Sequence, residues 1–123
     1  MNLLENTIKN LKEQGKKEVD VRWVGTKTHK CTWEDFKAIA DTEFSSGFGS
    51  PKVAEDLLIV GDNWWLERHE YDGSEWWEYK ELPKEPTNTI ALKALTVDQA
   101  EALEFDVSCG WENLLSLNGI SDE

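Results

Sequence analysis

The order of apolar and polar positions divides the chain into short segments of two kinds. Leu4, Ile8 and Leu11 recur at i, i+4 and i+7, one face of a helix. Asn2, with Glu5 three residues on, supplies an N-cap and a capping-box partner. Gly15 is a natural stop, and Lys9, Lys12, Lys16 and Lys17 fall around the exposed side. Val19, Val21 and Trp23 alternate with Asp20 and Arg22, which predicts a strand ending at Gly25, then a polar connection over Thr26 to Cys31. Thr32 caps a second helix, with Glu34 and Asp35 at its positive end. Its stripe is Trp33, Phe36, Ile39 and Ala40, and it is predicted to end near Phe44. Ser45 to Pro51 is rich in glycine and serine. It lacks the Lys-Ser/Thr pair of a phosphate loop and follows a helix, so it reads as a surface connection.

The middle of the chain changes to period two. Leu57 to Val60 is a short apolar strand, Gly61-Asp62-Asn63 a turn, and Trp64 to Tyr71 a second strand. Asp72-Gly73 is a type I′ turn signal, and Ser74 to Leu82 a third strand stopped by Pro83 and Pro86. A two-residue turn sets Tyr71 opposite Ser74, His69 opposite Trp76, Arg68 opposite Trp77, and Leu66 opposite Tyr79. Alternation then divides the faces. Trp64, Leu66, Arg68, Trp77 and Tyr79 form the core side, where Arg68 is placed for a cation–π contact with Trp77. Trp65, Glu67, His69, Tyr71, Trp76, Glu78 and Lys80 form the other. A doubled Trp-Trp forces one ring to each face, and both strands carry one. Ile90, Leu92 and Ala94 alternate weakly as a candidate edge strand. Thr96 and Gln99 form a capping box for a helix to about Glu104, and a last helix is predicted over about Trp111 to Leu117. The pattern predicts one α+β domain over residues 1–123, with an antiparallel three- to five-stranded sheet, including a meander with the tryptophan-rich hairpin, packed against two to four helices.

Composition narrows the class. The chain has 123 residues, 39% of them hydrophobic, with seven tryptophans, which is enough for a core. No apolar stretch approaches the ~20 residues of a membrane helix. The first residues lack a basic region followed by an apolar run, so no signal peptide is expected. Two cysteines, Cys31 and Cys109, then read as reduced thiols, and a cytoplasmic setting is expected. Net charge is −12 and uneven: residues 1–31 carry seven bases and four acids, residues 32–123 six bases and twenty-one acids. Such a field repels nucleic acid and attracts basic surfaces. Stacking of single-stranded nucleic acid on the sheet aromatics would need a positive groove, whereas residues 55–86 hold ten acids and three bases.

Candidate chemistry is sparse. His29, Cys31, His69 and Cys109 are the soft ligands, without the spacing of a zinc site, so no metal and no cofactor is expected. Glu67, His69 and Glu70 lie on a short hairpin with no evident pocket, and no nucleophile elbow, dinucleotide fingerprint or HExxH motif occurs. The reading is a binding protein rather than an enzyme. Exposed tryptophan beside charge is the usual composition of an interface centre. The candidate partner-binding residues are Trp65, Glu67, His69, Glu70, Asp72, Glu75, Trp76, Glu78 and Trp111.

Two stretches carry a resemblance. Trp23-Val-Gly-Thr-Lys-Thr-His29-Lys-Cys31-Thr-Trp33-Glu-Asp-Phe36 and Val60-Gly-Asp-Asn-Trp64-Trp-Leu-Glu-Arg68-His-Glu-Tyr71-Asp-Gly-Ser-Glu-Trp76-Trp-Glu resemble small uncharacterised proteins of phages, prophages and integrated elements of Gram-positive bacteria. The likeness covers roughly residues 22–83 and brings no active site with it. It implies a setting in which small acidic proteins are often inhibitors of host defence, including anti-CRISPR proteins that occupy the nucleic-acid or PAM-reading groove of an RNA-guided nuclease. With the charge asymmetry and the paired tryptophans, the expected function is an inhibitor bound in the basic groove of such a nuclease or of another nucleic-acid-binding defence protein. The expected partner is thus a protein, with no direct nucleic acid and no membrane. The alternatives are an adaptor for another protein of the element and a sponge for a nucleotide signal, for which the Ser45–Ser50 loop with Arg22 or Arg68 is the one hint.

Overall fold

A computed structural model describes residues 1–47, 49–108 and 111–120. The chain forms two compact units, Met1–Pro83 and Lys84–Glu123. In the first, helix α1 (Leu3–Glu13) begins where the Asn2 side chain accepts the Glu5 amide at 3.0 Å. Helix α2 (Trp33–Ala40) begins at a reciprocal capping box between Thr32 and Asp35. Five antiparallel strands follow the order β2-β1-β3-β4-β5, with β1 at Trp23–Gly25, β2 at Lys30–Cys31, β3 at Leu58–Val60, β4 at Trp64–Tyr71 and β5 at Ser74–Glu81.

The hairpin register is the one the turn predicts. Tyr71 pairs with Ser74, His69 with Trp76, Arg68 with Trp77 and Leu66 with Tyr79. Asp72 and Gly73 both have positive φ, 50° and 85°, the type I′ geometry that matches strand twist. The core lies on the expected face. Trp64, Leu66 and Trp77 are buried with Val24, Ile59, Leu11, Trp33, Phe36 and Ala40. The Trp77 indole N–H donates to Thr7 Oγ1 at 2.9 Å, and Thr7 in turn donates to the Leu3 carbonyl at 2.7 Å. One buried hydroxyl thus joins α1 to β5 and leaves neither polar group orphaned. Gly61 turns tightly under Trp64, where a Cβ would sit 2.1 Å from the indole.

Several boundaries differ from the sequence pattern. The strand predicted from Val19 starts at Trp23. Glu18–Asp20 is instead a 3₁₀ turn, closed by the Lys17 amide on Asp20, and Val19 points outward at 78% exposure. The supposed polar connection contains β2, since Gly25 lets the backbone of His29 and Lys30 approach to where a Cβ would clash. Helix α2 stops at Ala40 rather than Phe44, because the chain turns at Asp41 to form the bridge Asn2–Glu43. Ile39, assigned to its apolar stripe, is 79% exposed.

In the second unit, α3 (Val97–Ala102) starts at the predicted Thr96–Gln99 box and stops short of Glu104, which has φ 63°. Helix α4 is only Leu114–Leu117, capped by Asn113. Residues 90–94 form no strand. Buried Asn118 holds that segment, accepting the Lys93 and Ala94 amides at 2.8 and 2.9 Å and donating to the Ala94 and Leu114 carbonyls. Ala94, Ala100 and Leu117 form a small core with Val97, Phe105 and Val107. Cys109 lies outside the described residues. Among the described residues no helix is long and apolar enough to cross a membrane.

Candidate functional site

The outer face of the hairpin carries a ladder of aromatic and acidic groups. Within each strand a tryptophan donates its indole N–H to the glutamate two residues on: Trp65 to Glu67 at 2.6 Å, Trp76 to Glu78 at 2.7 Å. These residues share a face because side chains alternate. His69 Nε2 lies 2.7 Å from the second Glu67 oxygen. Register sets Glu67 directly opposite Glu78, Trp65 opposite Lys80 and His69 opposite Trp76. Two carboxylates thus face each other across the ladder, a destabilising pair by itself. The Trp65 indole, then His69, hold the Glu67 carboxyl below its ordinary range despite some burial, so it is ionised at neutral pH. Trp76 is 39% exposed, and the Glu67 and His69 side chains are 31% and 40% exposed.

Beside this ladder lies a groove of about 790 Å³. Trp23, Leu58, Val60 and Trp65 give it apolar walls. Glu55, Asp56 and Glu67 bring carboxylates to it, against Lys27 and Arg68. Trp23, Leu58 and Val60 were not among the sequence candidates. Their signal was faint: strands β1 and β3 are three residues each, too short for alternation to declare a face. A second cleft of about 880 Å³ lies between α2 and residues 42–45 and 52–57, with Phe36, Ile39, Phe44, Val53 and Leu57 on its walls. It shares no residue with the ladder.

The predicted site residues do not all belong together. Trp65, Glu67, His69, Trp76 and Glu78 do. Glu70 is exposed on the opposite side of β4, and Asp72 is exposed in the turn. Glu75 is a correction: it is a buried structural group, not a contact carboxylate. Its side chain is 2% exposed, bonded to Arg68 Nη2 at 2.8 Å and to the Lys52 and Val53 amides at 2.6 and 3.1 Å. Burial alone would push its carboxyl up, but those two amides and Arg68 outweigh it and leave it below the ordinary value. Together with Gly47 donating to the Gly73 carbonyl at 2.9 Å, this ties Gly47, Lys52 and Val53 to the hairpin end. The predicted cation–π contact is present, Arg68 lying 4.7 Å from the Trp77 ring and 5.8 Å from Phe44. Arg68 Nε and Nη1 are buried without a hydrogen-bond partner among the described residues. Trp111 belongs to the second unit, where it is fully exposed. The two arginines considered for a nucleotide are engaged: Arg22 forks Asp62 at 2.6 and 3.0 Å, and Arg68 pairs with Glu75.

No protein-family model, curated protein or solved structure matches the chain.

Proposed function

We propose that this chain is a protein-binding module whose outer hairpin face engages a basic surface. In its most specific form it is an inhibitor occupying the nucleic-acid-binding groove of a defence nuclease, anti-CRISPR in type. The observation that carries the reading is the Glu67–Glu78 pair, fixed by two indole N–H groups and flanked by tryptophan. Opposed carboxylates cost stability in the free chain, and a guanidinium or ammonium between them relieves that cost. The groove beside them suits the same side chains, which lay their aliphatic stems on apolar walls and keep the charge at a carboxylate rim. Net charge of −12 steers such a partner inward and disfavours nucleic acid.

Binding and cleavage assays with RNA-guided nucleases over a range of ionic strength test this. Inhibition is expected to weaken at least about tenfold for Glu67→Lys with Glu78→Lys, and to weaken again as salt is added. The Trp65→Ala and Trp76→Ala variants are expected to lose binding while keeping the far-UV spectrum. No complex at low salt, or a complex indifferent to charge reversal, overturns the reading.

A further inference from the structure

We propose that β5 is a docking edge, to which an extended basic segment of the partner adds as a sixth strand. This rests on the basic-partner reading above and specifies how the partner's main chain is held. Strand β5 ends the sheet on one side and runs eight residues, about 26 Å. The direction of its main-chain groups follows from two observations. The turn closes on Tyr71 and Ser74, and beyond the other end the Leu82 amide donates to the Asn63 carbonyl at 2.7 Å. Both pairs lie in the same register, so Ser74, Trp76, Glu78 and Lys80 turn their N–H and C=O groups toward β4. Glu75, Trp77, Tyr79 and Glu81 turn theirs away. Among the described residues, nothing bonds to those outward main-chain groups.

Natural sheets blunt such an edge with proline, a bulge, charged side chains or a very short strand. Here the pairing is continuous from Ser74 to Glu81, with no proline, and the charges on the strand are three glutamates and one lysine, a set that repels an acidic strand and admits a basic one. Charge selects the occupant. Antiparallel pairing of two copies centred on Glu78 would set Glu78 against itself and Glu75 against Glu81, between chains of net charge −12. A second copy is therefore disfavoured. A strand with lysine or arginine at alternate positions places those cations beside Glu78 on the outer face. Its intervening apolar residues then continue the side formed by Trp77 and Tyr79. Main-chain bonds supply affinity in this mode and alternate side chains supply specificity.

The test uses the full chain and an acetylated octapeptide alternating lysine and valine, read by amide hydrogen exchange. In the free chain the Trp77, Tyr79 and Glu81 amides are expected to exchange roughly 100-fold faster than those of Trp76, Glu78 and Lys80. Peptide is expected to protect the first set. Glu81→Pro removes an outward N–H that makes no ladder bond, and is expected to keep the melting temperature and weaken the peptide at least about tenfold. Peptide that binds without protecting these amides, and equally to Glu81→Pro, overturns the edge. The outer-face reading survives that result if Trp65→Ala still weakens binding. No peptide binding at low salt overturns both. Outward amides already protected in a free chain that sediments as a dimer would make the occupant a second copy and overturn the proposal.

Discussion

Arg68 and Glu75 meet across the hairpin with side chains 4% and 2% exposed, and between them they touch Trp77, Phe44 and two backbone amides. Removing one member of a buried pair strands the other charge. Glu75→Ala is therefore expected to cost about 3–5 kcal/mol in urea unfolding, with the segment around Lys52 losing protection first. An unchanged midpoint would mean that the pair is not buried in solution. Sequence alternation put Arg68 on the core side but treated Glu75 as one of a row of surface acids. The pairing of Glu70 with Glu75 puts Glu75 on the same face as Arg68. What hides it is the 51–53 segment, and no local pattern shows a loop folding back.

At the scale of elements, the starts of α2 and α3 were more legible than their ends, whereas α4 starts three residues later than predicted and ends where expected. Thr32 and Thr96 each sit three residues before an acidic or amide side chain that reaches back, so the cap is written locally. Thr32→Ala is expected to destabilise by about 1 kcal/mol, measured by thermal unfolding. Ends depend on where the chain must go next, as at Asp41, which turns toward Asn2. The C-terminal segment shows the same limit. Ile90, Leu92 and Ala94 alternate, yet Asn118 takes up the backbone groups at Ala94 that a strand would have needed. Asn118→Ala leaves those groups buried and unpaired. It is expected to cost about 2–4 kcal/mol, seen as lost hydrogen-exchange protection at the Lys93 and Ala94 amides. Protection equal to that of the parent chain would argue that other groups replace the amide.

For the whole molecule the governing quantity is the excess of carboxylates, twenty-five against thirteen bases. Self-repulsion in such a chain is screened by salt, so the melting temperature is expected to rise with ionic strength. A fall would assign more weight to the ion pairs than to the net charge. Acid acts in the opposite way. Glu18, Glu67 and Glu75 titrate below their ordinary value of 4.5 in the folded chain. Their stabilisation is complete above that value and is lost as pH falls through their lowered range. Stability is expected to be flat near neutrality and to decline below about pH 4.5, followed by urea midpoints across pH. A decline beginning near pH 6 would overturn the assignment to these carboxylates.

The sequence by itself determined the hairpin: a two-residue turn with positive φ, period-two alternation and doubled tryptophans fix register and face together, because each is a local property of the strand. It also determined the sign of the electrostatic field, which needs only a count. Tertiary structure alone decided which acids are free. Glu67 and Glu78 are held in the open by neighbouring indoles, while Glu75 is enclosed by a loop that starts more than twenty residues earlier. Burial of a charge depends on what packs over it, and that is set by contacts far apart in the chain.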